Sequence, residues 1–252
     1  VVEPILRLEG LCKRFGGVIA TDNLSLEVLP GEIHALIGPN GAGKTTVIGQ
    51  ICGEITPDSG RILFGGADIT HLRFAQRVRR GLSRTFQIVQ LLDDDTALEN
   101  VALAVQAAEG HSFRFWRDAR RDRRLTDRAR ALLAQVGLPE ERGRVRVSDL
   151  SHGERKQLEL AIALAPSPKL LLLDEPMAGL GAAESLRMTE VLRGLKGRIP
   201  MLLVEHDMDA VFALADRVSV LVYGRCLASG LPEEIRADPA VREAYLTEEE
   251  GH

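Results

Sequence analysis

The chain is poor in the features that mark a membrane protein, a disulfide scaffold or a nucleic-acid binder. Its longest purely apolar runs, such as Val101 to Val105 and Ala161 to Ala165, fall far short of the roughly 20 residues a helix needs to cross a bilayer, so no spanning segment is expected. Cysteine is scarce: Cys12, Cys52 and Cys226 are odd in number and far apart, which leaves neither a disulfide framework nor a metal-ligand spacing. Positive charge is not in excess, because the formal net charge is -4. Neutralising a phosphate backbone requires a dominant basic surface, so nucleic acid is not an expected partner. The first residues lack a basic segment leading into an apolar run, the pattern of a secretory signal, and the cytoplasmic side is the expected location. There is no internal repeat.

What the chain does have is 252 residues, 45% of them hydrophobic, enough for a sizeable core. The first part reads as short strands at Ile5 to Gly10, Leu24 to Val28 and Ile33 to Gly38, with another at Arg61 to Gly66, because apolar and polar residues alternate there. From about Thr96 to Ala165 the spacing is helical and no strand is expected. Strand and helix then alternate again: the unbroken Leu170 to Leu173 has the pattern of a parallel strand buried on both faces. A helix through Ser185 to Leu195, a strand at MLLVEH and a helix up to Asp216 follow. Val218 to Gly230 reads as a hairpin turning at Gly224-Arg225, and Pro232 suits a first helical turn. The pattern predicts an α/β sheet core, 1–92 and 166–252, that begins with antiparallel strands and is interrupted by an α-helical subdomain at 93–165. Arg114 to Arg130 carries eight arginines and three aspartates. Such a run is chiefly a solvated helix face with pairs such as Asp118 with Arg121 and Asp127 with Arg130; contact with an anionic membrane surface or partner is the alternative.

The segment Gly38, Pro39, Asn40, Gly41, Ala42, Gly43, Lys44, Thr45 and Thr46 fits G-x-x-x-x-G-K-[ST] between a strand and a helix. Glycines there let successive N–H groups point at phosphate oxygens, and the helix end adds partial positive charge. Lys44 is expected to reach the β- and γ-phosphates and Thr45 to hold Mg²⁺ through its hydroxyl. Asp174, at the carboxyl end of the four-leucine strand, is placed where open α/β sheets bind ligands and would complete the metal's ligands. Glu175 follows directly and would orient and deprotonate an attacking water.

In LSHGE, Ser151 and Glu154 fit a capping box, while Gly153 costs about 1 kcal/mol relative to alanine in a helix, and a helix end with bare N–H groups is also an anion site. LSHGE, a short interval before LLLLDEP, resembles the LSGGQ signature of ATP-binding cassette proteins, and the resemblance extends over essentially the whole chain. It implies a RecA-like nucleotide-binding core with an inserted helical signature subdomain. It also implies that Phe15 stacks on adenine, that Gln87 in SRTFQ contacts Mg²⁺ or the attacking water and couples to membrane subunits, and that His206 binds the γ-phosphate. In that family two subunits pair head to tail, so Ser151 and Gly153 would meet ATP held in trans by a second subunit, in a homodimer or a heterodimer. Two residues depart from the pattern: His152 stands where a second glycine is usual, and Gly181 where Asp or Asn is frequent.

Together RTFQ, the Arg-rich segment, LSHGE, MAGL and DPAVREAYL resemble the branched-chain amino-acid uptake ATPases. That resemblance implies ATP hydrolysis with Mg²⁺ at the cytoplasmic face of the inner membrane, integral permease subunits as partners and, indirectly, a solute-binding protein. A related amide, urea or amino-acid importer and a lipopolysaccharide-type exporter are the alternatives. A DNA-repair or translation cassette would bring a second cassette or a long coiled coil, and a pure binding module would lack Glu175.

Overall fold

The structure is a computed structural model and describes residues 2–85, 91–109 and 122–249. Its strands are β1 (Leu6–Phe15), β2 (Val18–Val28), β3 (Ile33–Ile37), β4 (Ser59–Phe64), β5 (Ala67–Asp68), β6 (Leu82–Arg84), β7 (Leu170–Asp174), β8 (Met201–Val204), β9 (Arg217–Val222) and β10 (Arg225–Gly230). Its α-helices are α1 (Lys44–Cys52), α2 (Phe74–Arg79), α3 (Ala97–Ala108), α4 (Arg123–Gln135), α5 (Glu140–Gly143), α6 (His152–Leu164), α7 (Ala182–Leu195), α8 (Met208–Leu214), α9 (Pro232–Ala237) and α10 (Pro239–Glu249).

Contacts divide the chain into two compact units, Val1–Leu82 with Lys169–Glu175 and Leu195–His252, and Ser83–Pro168 with Pro176–Gly194. The sequence pattern draws the helical part at 93–165; the contact-defined unit is wider and takes in most of α7.

The first unit is built on two sheets. One is antiparallel, with strand order β2-β1-β4-β5; the other runs β10-β9-β3-β8-β7 within this unit, its strands β9, β3, β8 and β7 parallel. The strands β3, β7 and β8 are buried at every position, which explains their unbroken apolar sequence. Leu36, Leu170, Leu172, Leu202 and Val204 pack with Val47, Ile48 and Ile51 of α1 and with Leu6, Leu8 and Ile62 of the antiparallel sheet.

Three local differences from the sequence pattern have physical causes. The strand β1 continues through Gly10, whose φ of 57° accommodates an irregularity between Leu8 and Leu11, so this glycine makes a bulge and does not end the strand. The hairpin of β9 and β10 turns at Tyr223-Gly224, with φ of 46° and 77°, because a two-residue turn that matches strand twist needs positive φ at both positions. The strand β6 is three residues long, too short to show a period.

Arg77 is 1% exposed. Its guanidinium donates to the carbonyls of Gln50 and Ile51 in the last turn of α1 and to those of Leu72 and Thr70. Burial holds its pKa below the ordinary arginine value. Gly53 ends α1 with φ of 82°, and an added Cβ there would stand 2.7 Å from Arg77 Nε.

The second unit is helical, with α3, α4, α5 and α6 in mutual contact. Thr96 caps α3 in a reciprocal box with Glu99, and the Arg130–Asp127 pair expected on α4 forms at 2.9 Å. The Asp118–Arg121 pair lies outside the described residues. Among the described residues no helix is long and apolar enough to cross a membrane.

Candidate active site

The phosphate-loop group lies in the first unit. Its loop leaves the fully buried β3 and enters α1 at Gly43, which adopts φ of 105°. A Cβ at Gly38 would stand 2.1 Å from the Leu221 carbonyl oxygen, and one at Gly43 the same distance from that of Ala20, so neither position admits another residue without moving backbone. Ala42 is buried, and its carbonyl accepts from the Gly224 N–H of the β9–β10 turn at 2.9 Å, which anchors the loop. Asn40, Gly41 and Thr45 are exposed; Pro39, Lys44 and Thr46 are half-buried. The helix α1 has no side-chain cap hydrogen bond and no acidic residue in its first turn. A helix end without such a cap or acidic residue favours a bound phosphate. The Lys44 ammonium folds back over the loop, donating to the carbonyls of Gly38 at 2.5 Å and Pro39 at 2.9 Å.

Strand order brings the remaining groups to this edge. The strand β8 lies between β3 and β7, and Leu36, Val204 and Asp174 are in register across the three. The phosphate loop, His206 and Glu175 thus emerge within two residues of one line at the carboxyl ends of parallel strands, where α/β sheets bind their ligands. Asp174 is 4% exposed. Glu175 adopts φ of 50° while its N–H donates to the Val204 carbonyl at 2.8 Å. That left-handed turn costs about 1–3 kcal/mol for a residue with a side chain. It bends the chain out of the sheet, as expected if both carboxylates face one cleft. His206 is 66% exposed, and its Nδ1 lies 4.0 Å from Glu175 Oε1 and 3.5 Å from Glu205 Oε2. The fully buried Glu205 accepts from the N–H groups of His206 at 2.8 Å and Asp207 at 3.2 Å, fixing the loop that carries the histidine. Asp207 in turn caps α8 through the Ala210 N–H.

Phe15 ends β1 with its ring 50% exposed and the Lys13 ammonium 5.4 Å from the ring centroid, so it is a surface platform and no part of the core. Gln87 lies outside the described residues. For Mg²⁺ the fit is to a partial set: among the described residues no group of three or more His, Cys, Asp or Glu converges. A buried carboxylate and an exposed hydroxyl suit Mg²⁺, which takes one or two protein oxygens and completes its octahedron with phosphate and water.

The signature group lies in the second unit. Ser151 is the N-cap of α6: its Oγ accepts from the Glu154 N–H at 3.2 Å, and Glu154 Oε2 accepts from the Ser151 N–H at 2.8 Å, the expected capping box. Arg142 of α5 donates through Nε and Nη2 to both oxygens of Glu154, at 2.5 and 2.6 Å. The Arg142 hydrogen bonds, against a smaller effect of burial, hold the Glu154 carboxyl below its ordinary range. Glu184 of α7 accepts from the Gly153 N–H at 3.2 Å. A Cβ at Gly153 would stand 2.6 Å from Glu184 Oε1, so the missing side chain already has a use within one chain. His152, the first departure from the family pattern, lies with Nε2 3.4 Å from the Ala178 carbonyl oxygen and against Gly179, whose φ of 77° suits glycine. Gly181, the second departure, has an N–H that donates to Glu184 Oε2 at 3.4 Å.

Sequence reasoning passed over Arg142, Glu184 and Glu205. Glu205 could have been found from its place directly before His206, and Glu184 from its place three residues after Gly181, where a helix-capping glutamate belongs. Arg142 has no comparable signal, being twelve residues from the glutamate it holds.

Residues 21–178 match the family model described as ABC transporter, and residues 225–246 that described as branched-chain amino acid ATP-binding cassette transporter. The chain is 40% identical to the high-affinity branched-chain amino acid transport ATP-binding protein LivG of Escherichia coli K12, over 98% of this chain and 99% of that protein. It is 37% identical to the protein of the same description, BraF, of Pseudomonas aeruginosa, over 97% and 98%. A solved structure of the ADP conformation of an ATP-binding cassette from an ABC transporter superposes with a TM-score of 0.85 at 31% identity, over 97% of this chain and 99% of that one. With its phosphate loop, strand-end carboxylates and capped signature helix, this chain belongs to the ATP-binding cassette family of transporter ATPases.

Proposed function

We propose that the chain hydrolyses ATP to drive uptake of branched-chain amino acids through integral permease subunits, to which it binds at the cytoplasmic face of the membrane. The observation that carries the catalytic part is the single line at the carboxyl ends of β3, β8 and β7, where the phosphate loop, His206, Asp174 and Glu175 meet. The match of residues 225–246 to the branched-chain family, with the similarity to LivG and BraF, supports the choice of solute.

Phe15 supplies the face on which adenine stacks, and the loop of Gly38 to Thr46 holds the phosphates. Lys44, now bound to two loop carbonyls, transfers its ammonium to the β- and γ-phosphate oxygens. Thr45 and Asp174 hold Mg²⁺, with Gln87, and the ion when bound neutralises phosphate charge and fixes its geometry. Glu175 takes the proton of the attacking water, and His206 contacts the γ-phosphate. Ser151 and Gly153 of a second ATPase subunit, identical or homologous, close over that phosphate. ATP thereby joins two subunits, and its hydrolysis lets them part.

The test is reconstitution in liposomes with permease subunits of the branched-chain amino-acid type and a solute-binding protein. ATP-dependent uptake of leucine, isoleucine or valine, abolished by Lys44→Ala, is the expected result. Uptake of urea or an amide in their place would overturn the choice of solute, and loss of neither transport nor ATPase activity in Lys44→Ala would overturn the site.

A further inference from the structure

The signature helix end is not bare in the single chain. Glu184 Oε1 accepts from the Gly153 N–H at 3.2 Å and lies 3.5 Å from Ser151 Oγ, the two donors that the proposed function gives to the γ-phosphate of the other subunit. Its second oxygen lies 3.4 Å from the Gly181 N–H, at the start of its own helix. The partial positive charge of the α6 N-terminus is thus already met by an anion of the same chain. An added Cβ at Gly153 would meet this carboxylate before any phosphate, so the glycine makes room for Glu184.

We propose that Glu184 is the intramolecular competitor of the trans γ-phosphate and sets the ATP concentration at which two subunits close. A phosphate oxygen in hydrogen-bond contact with the Gly153 N–H would stand within a few ångströms of the carboxylate. Like charges so close repel, and one N–H cannot serve both anions in full. Closure therefore moves the Glu184 carboxylate off α6, while its position three residues after Gly181 lets it remain as the cap of α7. The exchange also ties the loop of residues 177–181 to the state of the signature end, because one side chain touches both.

The inference rests on the trans-ATP reading, and the experiment separates the two. The full chain, carrying Glu175→Gln to block hydrolysis and purified with the subunits it assembles with, is titrated with ATP and Mg²⁺ while closure is followed by distance-sensitive labels on the two ATPase subunits. Without ATP-dependent closure, or with closure untouched by Ser151→Ala, the trans reading fails and the present inference falls with it. With closure established, Glu184→Gln, which keeps an oxygen for the same N–H groups but no charge, should lower the half-maximal ATP concentration about tenfold, the equivalent of one charge-assisted hydrogen bond. Glu184→Ala should shift it in the same direction. An unchanged or higher ATP requirement in Glu184→Gln would overturn the proposal and leave Glu184 as a helix cap alone.

Discussion

Two helix ends in this chain carry the proposed phosphate contacts, and they are prepared in opposite ways. The helix α1 begins at a glycine, with no side-chain cap hydrogen bond and no acidic residue in its first turn. The helix α6 begins at a serine in a closed capping box, with Glu154 and Glu184 on its first N–H groups. The first end is shaped by backbone contacts that no side chain could replace. The second is shaped by side chains that can rotate away. An end that keeps a nucleotide through a cycle benefits from rigidity, whereas an end that meets a phosphate only when subunits close must be stable without it and able to exchange its partners.

The comparison breaks most easily at the chemistry beside α1. Glu175→Gln should lower steady-state ATPase turnover by about 10²–10⁴-fold, the range for a lost general base, with ATP binding retained in an equilibrium titration. A normal rate would remove Glu175 from that role. Lys44→Ala should weaken ATP binding by on the order of a hundredfold, as measured calorimetrically, because more than one charge-assisted hydrogen bond to phosphate is lost.

The two sets of glycines sharpen the contrast through stability. Gly43→Ala forces a Cβ to within 2.1 Å of a backbone carbonyl oxygen and should destabilise the fold by about 1–3 kcal/mol in denaturant unfolding. Gly153→Ala meets the Glu184 side chain and no backbone, and gains helix propensity, so its stability should stay within about 1 kcal/mol of the parent. Equal losses at the two glycines would erase the distinction between a backbone-shaped and a side-chain-shaped end.

The smallest effect concerns pH. Glu154 has its carboxyl pKa lowered in the folded chain from the ordinary 4.5, chiefly by Arg142. A lowered folded value means that the contribution to stability is complete above 4.5 and fades as pH falls below it through the folded value. Protection factors in the first turn of α6, taken against the intrinsic exchange rate at each pH, should therefore fall below pH 4.5, and Arg142→Ala should flatten that dependence.

Much of the first helix end is legible in the sequence, because a strand, a glycine-rich loop and a lysine lie next to one another along the chain. Asp174 and Glu175 are legible as well, since an unbroken leucine run marks its own end. The second end is only half legible. Its capping box is local, but Glu184 comes from a helix more than thirty residues later and Arg142 from one before, and no period or spacing joins them to Ser151. Gly10 illustrates the opposite error: glycine reads as a terminator, while here the partner strands carry β1 through it as a bulge.

Arg77 gives α1 a further property. Its guanidinium, sealed from water, rests on the final carbonyls of the helix whose opposite tip is the proposed phosphate site. The row of peptide dipoles between them would then lie between a permanent cation and a transient polyanion, each next to the pole it prefers. Lysine could replace the charge but not the planar fork that reaches four oxygens at once, so the far anchor of this helix depends on the shape of one side chain at the other end from the phosphate loop.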